Sequence, residues 1–193
     1  MRLSRPPRLR LVRPGAAYLR GYVAALARGW SADTERGEQA ASEELARIEL
    51  DAKAFLASQD DREAKGPPIK LPDGSLVRRL PGFYRWMWDG EFAGSIALRW
   101  QPGTTDLPEY CLGHIGYGVV PWKRRRGYAT RALTMLLPLA RQEGLAFVEI
   151  TTDVDNIGSQ RVIIANGGVL TGEFVKPAAF GRKRGLRYRI HLA

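Results

Sequence analysis

The stretch VVPWKRRRGYATRAL, from Val119 to Leu133, constrains the fold of this chain more than any other part of the sequence. A strand-like run ends at Val120, a loop with four consecutive cations follows, and an amphipathic helical pattern begins after Gly127. Free backbone N–H groups at a helix start, with the helix dipole behind them, attract anions. The stretch therefore predicts a strand–loop–helix unit that can hold a phosphate group.

Two other interpretations of the cations Lys123 to Arg126 stay open at this point. A run of like charges is often a solvated surface patch, and it can also contact nucleic acid. Other phosphate motifs do not fit, because the chain has no G-x-x-x-x-G-K-[ST] sequence. The run GHIGYG has its glycines in the wrong order for a dinucleotide fingerprint.

The composition is that of a globular protein, and the length of 193 residues predicts a single domain over residues 1–193. Residues 1–8 are expected to form a basic lead-in. Residues 60–82, which are rich in proline, glycine and charge, are expected to form a surface excursion. The formal net charge of +10 favours the binding of anions in general. It does not discriminate among nucleic acid, an anionic membrane and a polyphosphate ligand.

Metal, membrane and secretion signals are weak in this sequence. One cysteine excludes an intramolecular disulfide, and one cysteine with two histidines argues against a structural zinc site, so no metal is predicted. No apolar run reaches the length of a membrane span, and no apolar segment follows the basic N-terminus to make a secretory signal. The expectation is a cytoplasmic protein without a membrane partner.

The order of strand and helix patterns predicts a mixed α/β (α+β) fold. A strand at residues 9–14 precedes helical patterns at 16–30 and near 42–58. Two alternating runs flank Asp89-Gly90, which is a strong hairpin signal. A strand over 110–120, a helix, a strand, a short helix and two closing strands follow. Pro138 predicts a kink or an early end of the helix that contains it.

Two motifs in this second half resemble signatures of the GNAT (Gcn5-related N-acetyltransferase) superfamily. RRRGYA, residues 124–129, matches [QR]-x-x-G-x-[GA], and DNIGSQRVIIANGG resembles N-x-x-[AS] followed by a short helix and a glycine. The resemblance is strongest over residues 111–168 and points to a subgroup of predicted acetyltransferases with unassigned substrates. It implies a central, mostly antiparallel, twisted sheet of about seven strands, with helices on both faces and a splayed parallel pair at the cofactor site.

The resemblance also implies acetyl-CoA as the acetyl donor. The backbone of the strand before the loop would pair with the pantetheine arm, and the loop amides would hold the pyrophosphate. Asn156 would reach the pantetheine arm, although a simple helix N-cap is its alternative role. The implied cofactor-binding residues are Tyr117, Val119, Val120, Arg124, Arg125, Arg126, Gly127, Tyr128, Ala129, Thr130, Asn156 and Ser159.

The chain departs from the family pattern at one catalytic position. Many members carry a tyrosine seven residues after the asparagine, where it protonates the departing thiolate, but the residue here is Ile163. Either another group serves as the acid, or the thiolate leaves without one. Tyr117 and Tyr188 are candidate substitutes, and ordinary strand packing is the alternative for both.

The candidate general bases are led by Glu149 and His114. Glu149 lies in the apolar run FVEITT, which we expect to be covered on both faces, so its carboxylate should be paired, perturbed or near a cleft. A salt bridge to an arginine is an equally good interpretation. His114 has a suitable ordinary pKa. Glu109 and Asp153 are further candidates near strand ends.

These observations predict an acetyl-CoA-dependent N-acetyltransferase that transfers acetyl directly to a primary amine of an unidentified acceptor. The lone thiol is not needed as a nucleophile, and Cys111 and His114, three apart on an expected strand, would point to opposite faces. A non-catalytic acyl-CoA-binding module of the same fold is the alternative. A nucleic-acid-binding protein, suggested by the charge and by GRKRGLRYR, is less favoured. The oligomeric state stays open, with a homodimer among the alternatives.

Overall fold

The computed structural model describes residues 8–192 of the chain, so the expected lead-in lies outside the described residues except for Arg8. The helices are α1 (Ala16–Leu26), α2 (Gly37–Ala57), α3 (Tyr128–Gln142) and α4 (Ile157–Ile164). The strands are β1 (Arg10–Val12), β2 (Asp60–Asp61), β3 (Ile69–Lys70), β4 (Leu76–Val77), β5 (Gly82–Trp88), β6 (Phe92–Arg99), β7 (Ile115–Val119), β8 (Phe147–Asp153), β9 (Val169–Val175) and β10 (Arg184–His191).

The main strands form two antiparallel sheets rather than one. The first has the order β1-β5-β6-β7, with the short β2 also paired to β5, and the second has the order β8-β10-β9. The predicted hairpin at Asp89-Gly90 joins β5 to β6. Within residues 60–82, β3 and β4 form a small hairpin of their own. The predicted mixed α/β class with a mostly antiparallel sheet is confirmed.

Helices cover both faces of the first sheet because side chains alternate along its strands. On β5, the buried Trp86 packs with Tyr22 of α1 and Phe55 of α2. Its neighbour Met87 points the other way, into a core that α3 provides with Leu133 and other apolar side chains. The prediction of helices on both faces is therefore confirmed.

One local prediction is wrong, and one of the two outcomes expected at Pro138 does not occur. The strand expected over 110–120 begins only at Ile115, so Cys111 and His114 precede it and the argument from opposite strand faces does not apply to them. Helix α3 passes Pro138 and ends at Gln142, so the expected early end does not occur. Leu136 and Ala140 are both fully buried on either side of the proline, and this packing keeps the last turn helical.

The strands β7 and β8 meet only where both begin. The His114 N–H donates to the Glu149 carbonyl at 2.8 Å, and the Glu149 N–H donates to His114 Nδ1 at 2.9 Å. Helix α3 returns the chain between them, so β8 runs in the same direction as β7. The two strands then belong to different sheets and a gap opens toward their C-terminal ends. This geometry is the predicted splayed parallel pair.

Substitution of Gly94 by alanine should destabilise the fold strongly, since Gly94 has φ +149° and a Cβ there would lie 2.2 Å from the Gly118 carbonyl oxygen of β7. Backbone strain and overpacking together predict a loss of roughly 2–5 kcal/mol in the free energy of unfolding, measured by urea denaturation. Gly172→Ala is the matched control, because a Cβ at Gly172 meets nothing within 4 Å. Equal stability of the two variants would contradict this description of the β6–β7 contact.

Candidate active site

The loop between β7 and α3 presents a row of unused backbone donors. Gly127 adopts a left-handed conformation, φ +70° and ψ +15°, and directly precedes the helix. The first amide of α3 to find a backbone partner is that of Arg131, which donates to the Gly127 carbonyl at 3.1 Å. The N–H groups of residues 125–130 have no hydrogen-bond acceptor within the described part of the chain. An anion placed at the helix start can therefore accept from several donors at once.

The four cations of this loop have two different roles. Lys123 is buried, and its Nζ lies 2.6 Å from Asp89 Oδ1 and 3.1 Å from Glu91 Oε2. Tyr128 donates its hydroxyl to Asp89 Oδ2 at 2.6 Å. Lys123 and the Tyr128 side chain therefore anchor the loop to the β5–β6 turn. The three arginines of residues 124–126 remain at the surface as the free charges of the run.

Asp89 is the residue of this site that the sequence analysis missed. Its position before Gly90 identifies it as a turn residue, and nothing in the sequence links it to a lysine more than thirty residues later. Burial opposes ionisation of Asp89, but the hydrogen bonds from Lys123 and Tyr128 outweigh burial and hold its pKa below the ordinary value. The same contacts hold the pKa of Lys123 above its ordinary value despite burial.

The backbone of β7 offers alternate residues to the gap. The His114 carbonyl accepts from the Arg99 N–H at 2.9 Å, and the Val120 N–H donates to the Ala93 carbonyl at 3.0 Å. Alternation along an antiparallel edge strand then directs the even-numbered residues toward β6 and the odd-numbered ones outward. Tyr117 and Val119 thus present backbone groups to the gap, and their pairing with a cofactor stays a prediction. The Val120 amide is already paired with β6, so it is not free to bind a cofactor.

Tyr117 also spans the gap with its side chain. Its hydroxyl lies 2.8 Å from Ser159 Oγ, on the first turn of α4. Burial raises the pKa of Tyr117 to about 12, although the hydrogen bond with Ser159 acts in the opposite direction. Asn156 caps α4, since its Oδ1 accepts from the Ser159 N–H at 3.0 Å. The N-cap role of Asn156 is thereby established, and its exposed amide nitrogen is left as a donor.

The position at which many family members carry a tyrosine lies in the core here. Ile163 is fully buried, and a Cβ on Gly168 would lie 2.3 Å from its side chain. Asn166 ends the same helix and donates to the Thr130 carbonyl at 3.3 Å, which ties α4 to the first turn of α3. A side chain at position 163 therefore cannot reach the gap, and Tyr117 is the tyrosine that does.

Glu149 and His114 both hold strands together in this structure. Burial alternates along β8, so this strand is not covered on both faces as expected. Glu149 pairs with Arg189 at 2.9 Å and lies 3.8 Å from Arg187, both on the neighbouring β10. His114 is fully buried and accepts at Nδ1, and burial lowers its pKa. Their catalytic roles stay predictions, and the salt bridge considered for Glu149 is present.

The remaining candidates are dispersed. Tyr188 is buried in the core beside α3, in agreement with ordinary strand packing. Glu109 is exposed in the loop before β7. Asp153 forms an ion pair with Lys176 at 2.7 Å. In residues 8–192, no group of three or more His, Cys, Asp and Glu side chains could hold a metal ion. No helix in the same range combines the length and apolar character needed to cross a membrane.

Comparisons with known proteins agree with this geometry. Residues 43–165 match the acetyltransferase (GNAT) family. Among solved structures, the microcin self-immunity acetyltransferase MccE, in complex with acetyl-CoA and AMP, superposes with a TM-score of 0.59 at 14% identity, over 95% of this chain and 92% of that one. The RimL ribosomal-protein α-N-acetyltransferase, in complex with coenzyme A, gives 0.60 at 14%, over 95% and 94%.

A third solved structure belongs to the same group. YncA from Salmonella typhimurium, described as a putative acetyltransferase with its cofactor acetyl-CoA, gives a TM-score of 0.57 at 14% identity, over 98% of this chain and 95% of that one. Curated protein sequences contain no match to the chain. At this level of identity the solved structures establish the fold.

Replacing Asp89 by asparagine should lower the free energy of unfolding at pH 7 by roughly 3–5 kcal/mol, because Lys123 would keep a buried charge without its main partner. Asp89 has a depressed pKa in the folded state. Its stabilising effect is therefore present above the ordinary aspartate pKa and is lost as the pH falls through the folded-state value. Urea unfolding at pH 7 and in acid should show the difference between wild type and variant shrinking in acid.

The exposed Asp106→Asn substitution is the control for that experiment, and it should leave stability nearly unchanged at both pH values. A difference between wild type and the Asp89 variant that stays constant with pH would contradict the role of the ionised carboxylate.

Proposed function

The chain belongs to the acetyltransferase (GNAT) family, and from this premise we propose that it transfers the acetyl group of acetyl-CoA directly to a primary amine. The observation that carries the proposal is the unused donor row at residues 125–130, placed beside the open edge of β7. The donor row can bind a phosphate chain, and the open strand edge can pair with a linear arm that contains amide groups. Acetyl-CoA contains both groups.

Each part of the cofactor has a counterpart in the chain. The amides of residues 125–130 and the exposed arginines of residues 124–126 would bind the pyrophosphate. The pantetheine arm would lie along β7 and pair with the backbone of Tyr117 and Val119, with the amide nitrogen of Asn156 as a further donor. Arg124 Nε already donates to the Val119 carbonyl at 3.2 Å, so this arginine would turn outward when the arm binds.

The reaction would proceed by direct attack of the amine on the thioester carbonyl, without a covalent enzyme intermediate. The new N–C bond forms, the C–S bond breaks, and the thiolate needs a proton. Tyr117 is protonated up to strongly alkaline pH, because its pKa is about 12, and its hydroxyl lies in the gap. We assign it the role of general acid. A general acid here favours an enzyme over the alternative of a non-catalytic acyl-CoA-binding module of the same fold.

The cytoplasmic location of the enzyme and its assembly as a homodimer stay predictions. Nucleic acid remains a less favoured ligand, since the buried ion pair of Lys123 removes one of the four loop cations from the surface.

Introducing a carboxylate at the helix start should abolish cofactor binding. Gly127→Glu places a like charge where the pyrophosphate would bind, so the acetyl-CoA Kd from calorimetric titration should rise by at least tenfold. Gly144→Glu is the matched control, because Gly144 also has a positive φ, lies at the other end of α3 and has equally free space at its Cβ position. Equal acetyl-CoA affinity of the two folded variants would refute the proposed pyrophosphate site.

Removal of the Tyr117 hydroxyl should affect turnover and leave cofactor binding intact. General acid catalysis contributes roughly 10²–10⁴-fold, so Tyr117→Phe should lower kcat by about that factor in a thiol-release assay. The Kd for acetyl-CoA should change only slightly, because the backbone of residue 117 is retained. Ser159→Ala, which keeps the tyrosine and loses its partner, should have a smaller effect. A Tyr117→Phe enzyme with wild-type kcat would exclude the tyrosine as the acid.

A further inference from the structure

The face of the first sheet that α1 and α2 cover is open to solvent at Tyr84, and we call this opening the cleft. Tyr84, Ala97 and Gly116 lie side by side across β5, β6 and β7, so two small residues follow the tyrosine across the sheet. Tyr84 retains 36% exposure on a strand inside the sheet. Burial of the ring by its neighbours also raises the pKa of Tyr84. These three residues form the floor of the cleft.

Arg99 borders this floor on the side of β7. Its Nη2 lies 2.8 Å from the position that a Cβ on Gly116 would occupy, so the guanidinium rests on the backbone of β7. Arg99 is half-buried. No carboxylate of the described residues lies within 4.0 Å of it, and its side chain donates no hydrogen bond to them. A partly desolvated guanidinium without a partner is unfavourable, and its planar donors fit a carboxylate.

Glu44 of α2 lies over the same face of the sheet, where it is held by Tyr22. Tyr22 of α1 stacks on Trp86 with 4.5 Å between ring centroids, and its hydroxyl donates to Glu44. Burial raises the pKa of Glu44, and within residues 8–192 it has no cationic side chain within 4.0 Å. After burial, the charges that most affect the pKa of Tyr84 are Arg99, which lowers it, and Glu44, which raises it. Arg99 and Glu44 thus both act on Tyr84, and they form no ion pair with each other.

We propose that the acceptor is a small amine that also carries a carboxylate, of the α-amino acid class, with its carboxylate on Arg99 and its ammonium group toward Glu44. The inference rests on the proposed acetyl transfer. The cleft reaches Gly116 of β7, and the outer edge of β7 lines the gap in which the thioester would lie. An α-amino acid carries one charge of each sign a few ångströms apart, and Arg99 and Glu44 supply a charge of opposite sign for each of them.

The assignment also completes the proton balance of the reaction. The ammonium group gives a proton to Glu44, directly or through water, and the freed amine attacks the thioester carbonyl. The N–C bond forms as the C–S bond breaks, and the thiolate takes its proton from Tyr117. The acylated nitrogen then loses its second proton, which restores the Tyr117 phenol through water. Arg99 is in this scheme a specificity residue, which binds the carboxylate and takes no part in proton transfer.

Matched substrate pairs test this inference. Each α-amino acid is compared with the primary amine that has the same side chain and lacks the carboxylate, in the full-length protein with acetyl-CoA and thiol-release detection. Arg99→Ala should raise KM for the amino acid by roughly 10- to 100-fold, as expected for loss of a charge-assisted hydrogen bond, and leave kcat for the decarboxylated amine nearly unchanged. Arg99→Lys should restore part of the affinity.

Two further variants separate binding from folding. Gly116→Ala places a methyl group against Arg99 without removing the charge, so it should raise the same KM. Arg141→Ala removes an exposed arginine at the end of α3 and should change nothing. Acetyl-CoA binding, measured by thermal unfolding, should be retained in every variant.

The outcomes distinguish failure of the proposed acetyl transfer from failure of the inference about the acceptor. Failure of the wild-type protein to bind acetyl-CoA would refute the transferase itself. Acetyl-CoA binding combined with turnover of decarboxylated amines as good as that of amino acids would overturn the acceptor inference alone. Acetyl-CoA binding without turnover of any amino acid, or an Arg99→Ala effect equal on both members of a pair, would overturn it as well.

Discussion

The absence of backbone pairing between β7 and β8 is the constraint on which the rest of this structure depends. An unpaired strand edge inside a protein leaves donors and acceptors without partners, and such edges are normally paired or covered. Here the two strands share only the hydrogen bonds between His114 and Glu149. The outward backbone groups of Tyr117 and the N–H of Val119 therefore need a partner from outside the sheet, whereas the Val119 carbonyl accepts from Arg124 Nε. A bound cofactor arm would complete the sheet in the way that a missing strand would.

A second set of contacts fixes the position of the anion-binding loop relative to the gap. The ion pair of Lys123 with Asp89 fixes the loop to the β5–β6 turn, and Asn166 fixes α4 to the first turn of α3. The donors at residues 125–130 are then pre-arranged before any ligand arrives. Preorganised donors bind an anion without the ordering cost that a flexible loop would carry. The same buried ion pair explains why a run of four cations contributes only three to the surface.

Much of this arrangement could be predicted from the sequence. The glycine after the cations, the asparagine before a short helix and the Asp-Gly hairpin each follow from a local rule, and each is found where it was expected. Side-chain pairing over long distances was not predictable in the same way. In the sequence, Asp89 has the signature of a turn residue and Lys123 has that of a phosphate ligand. Their ion pair could not be predicted, because the contact that joins them depends on the tertiary fold.

The surroundings of the catalytic candidates were not predictable for a related reason. Glu149 stands out in an apolar strand, but its cross-strand partner Arg189 is forty residues away and satisfies it. Glu44 and Arg99 attracted no attention, since each belongs to an ordinary amphipathic pattern. They become candidates only because the fold brings two opposite charges near the exposed Tyr84 and leaves Arg99 without an ion-pair partner. Absence of a partner is a property of the tertiary structure and leaves no mark in the sequence.

Residue-resolved amide hydrogen exchange, with and without acetyl-CoA, tests the central claim most directly. The account predicts that the amides of residues 125–130, together with those of Tyr117 and Val119, exchange rapidly in the free protein and become protected on binding. The amides of Gly118 and Val120, which face β6, should already be protected and should change little. Protection elsewhere, or none at these positions with acetyl-CoA bound, would contradict the account.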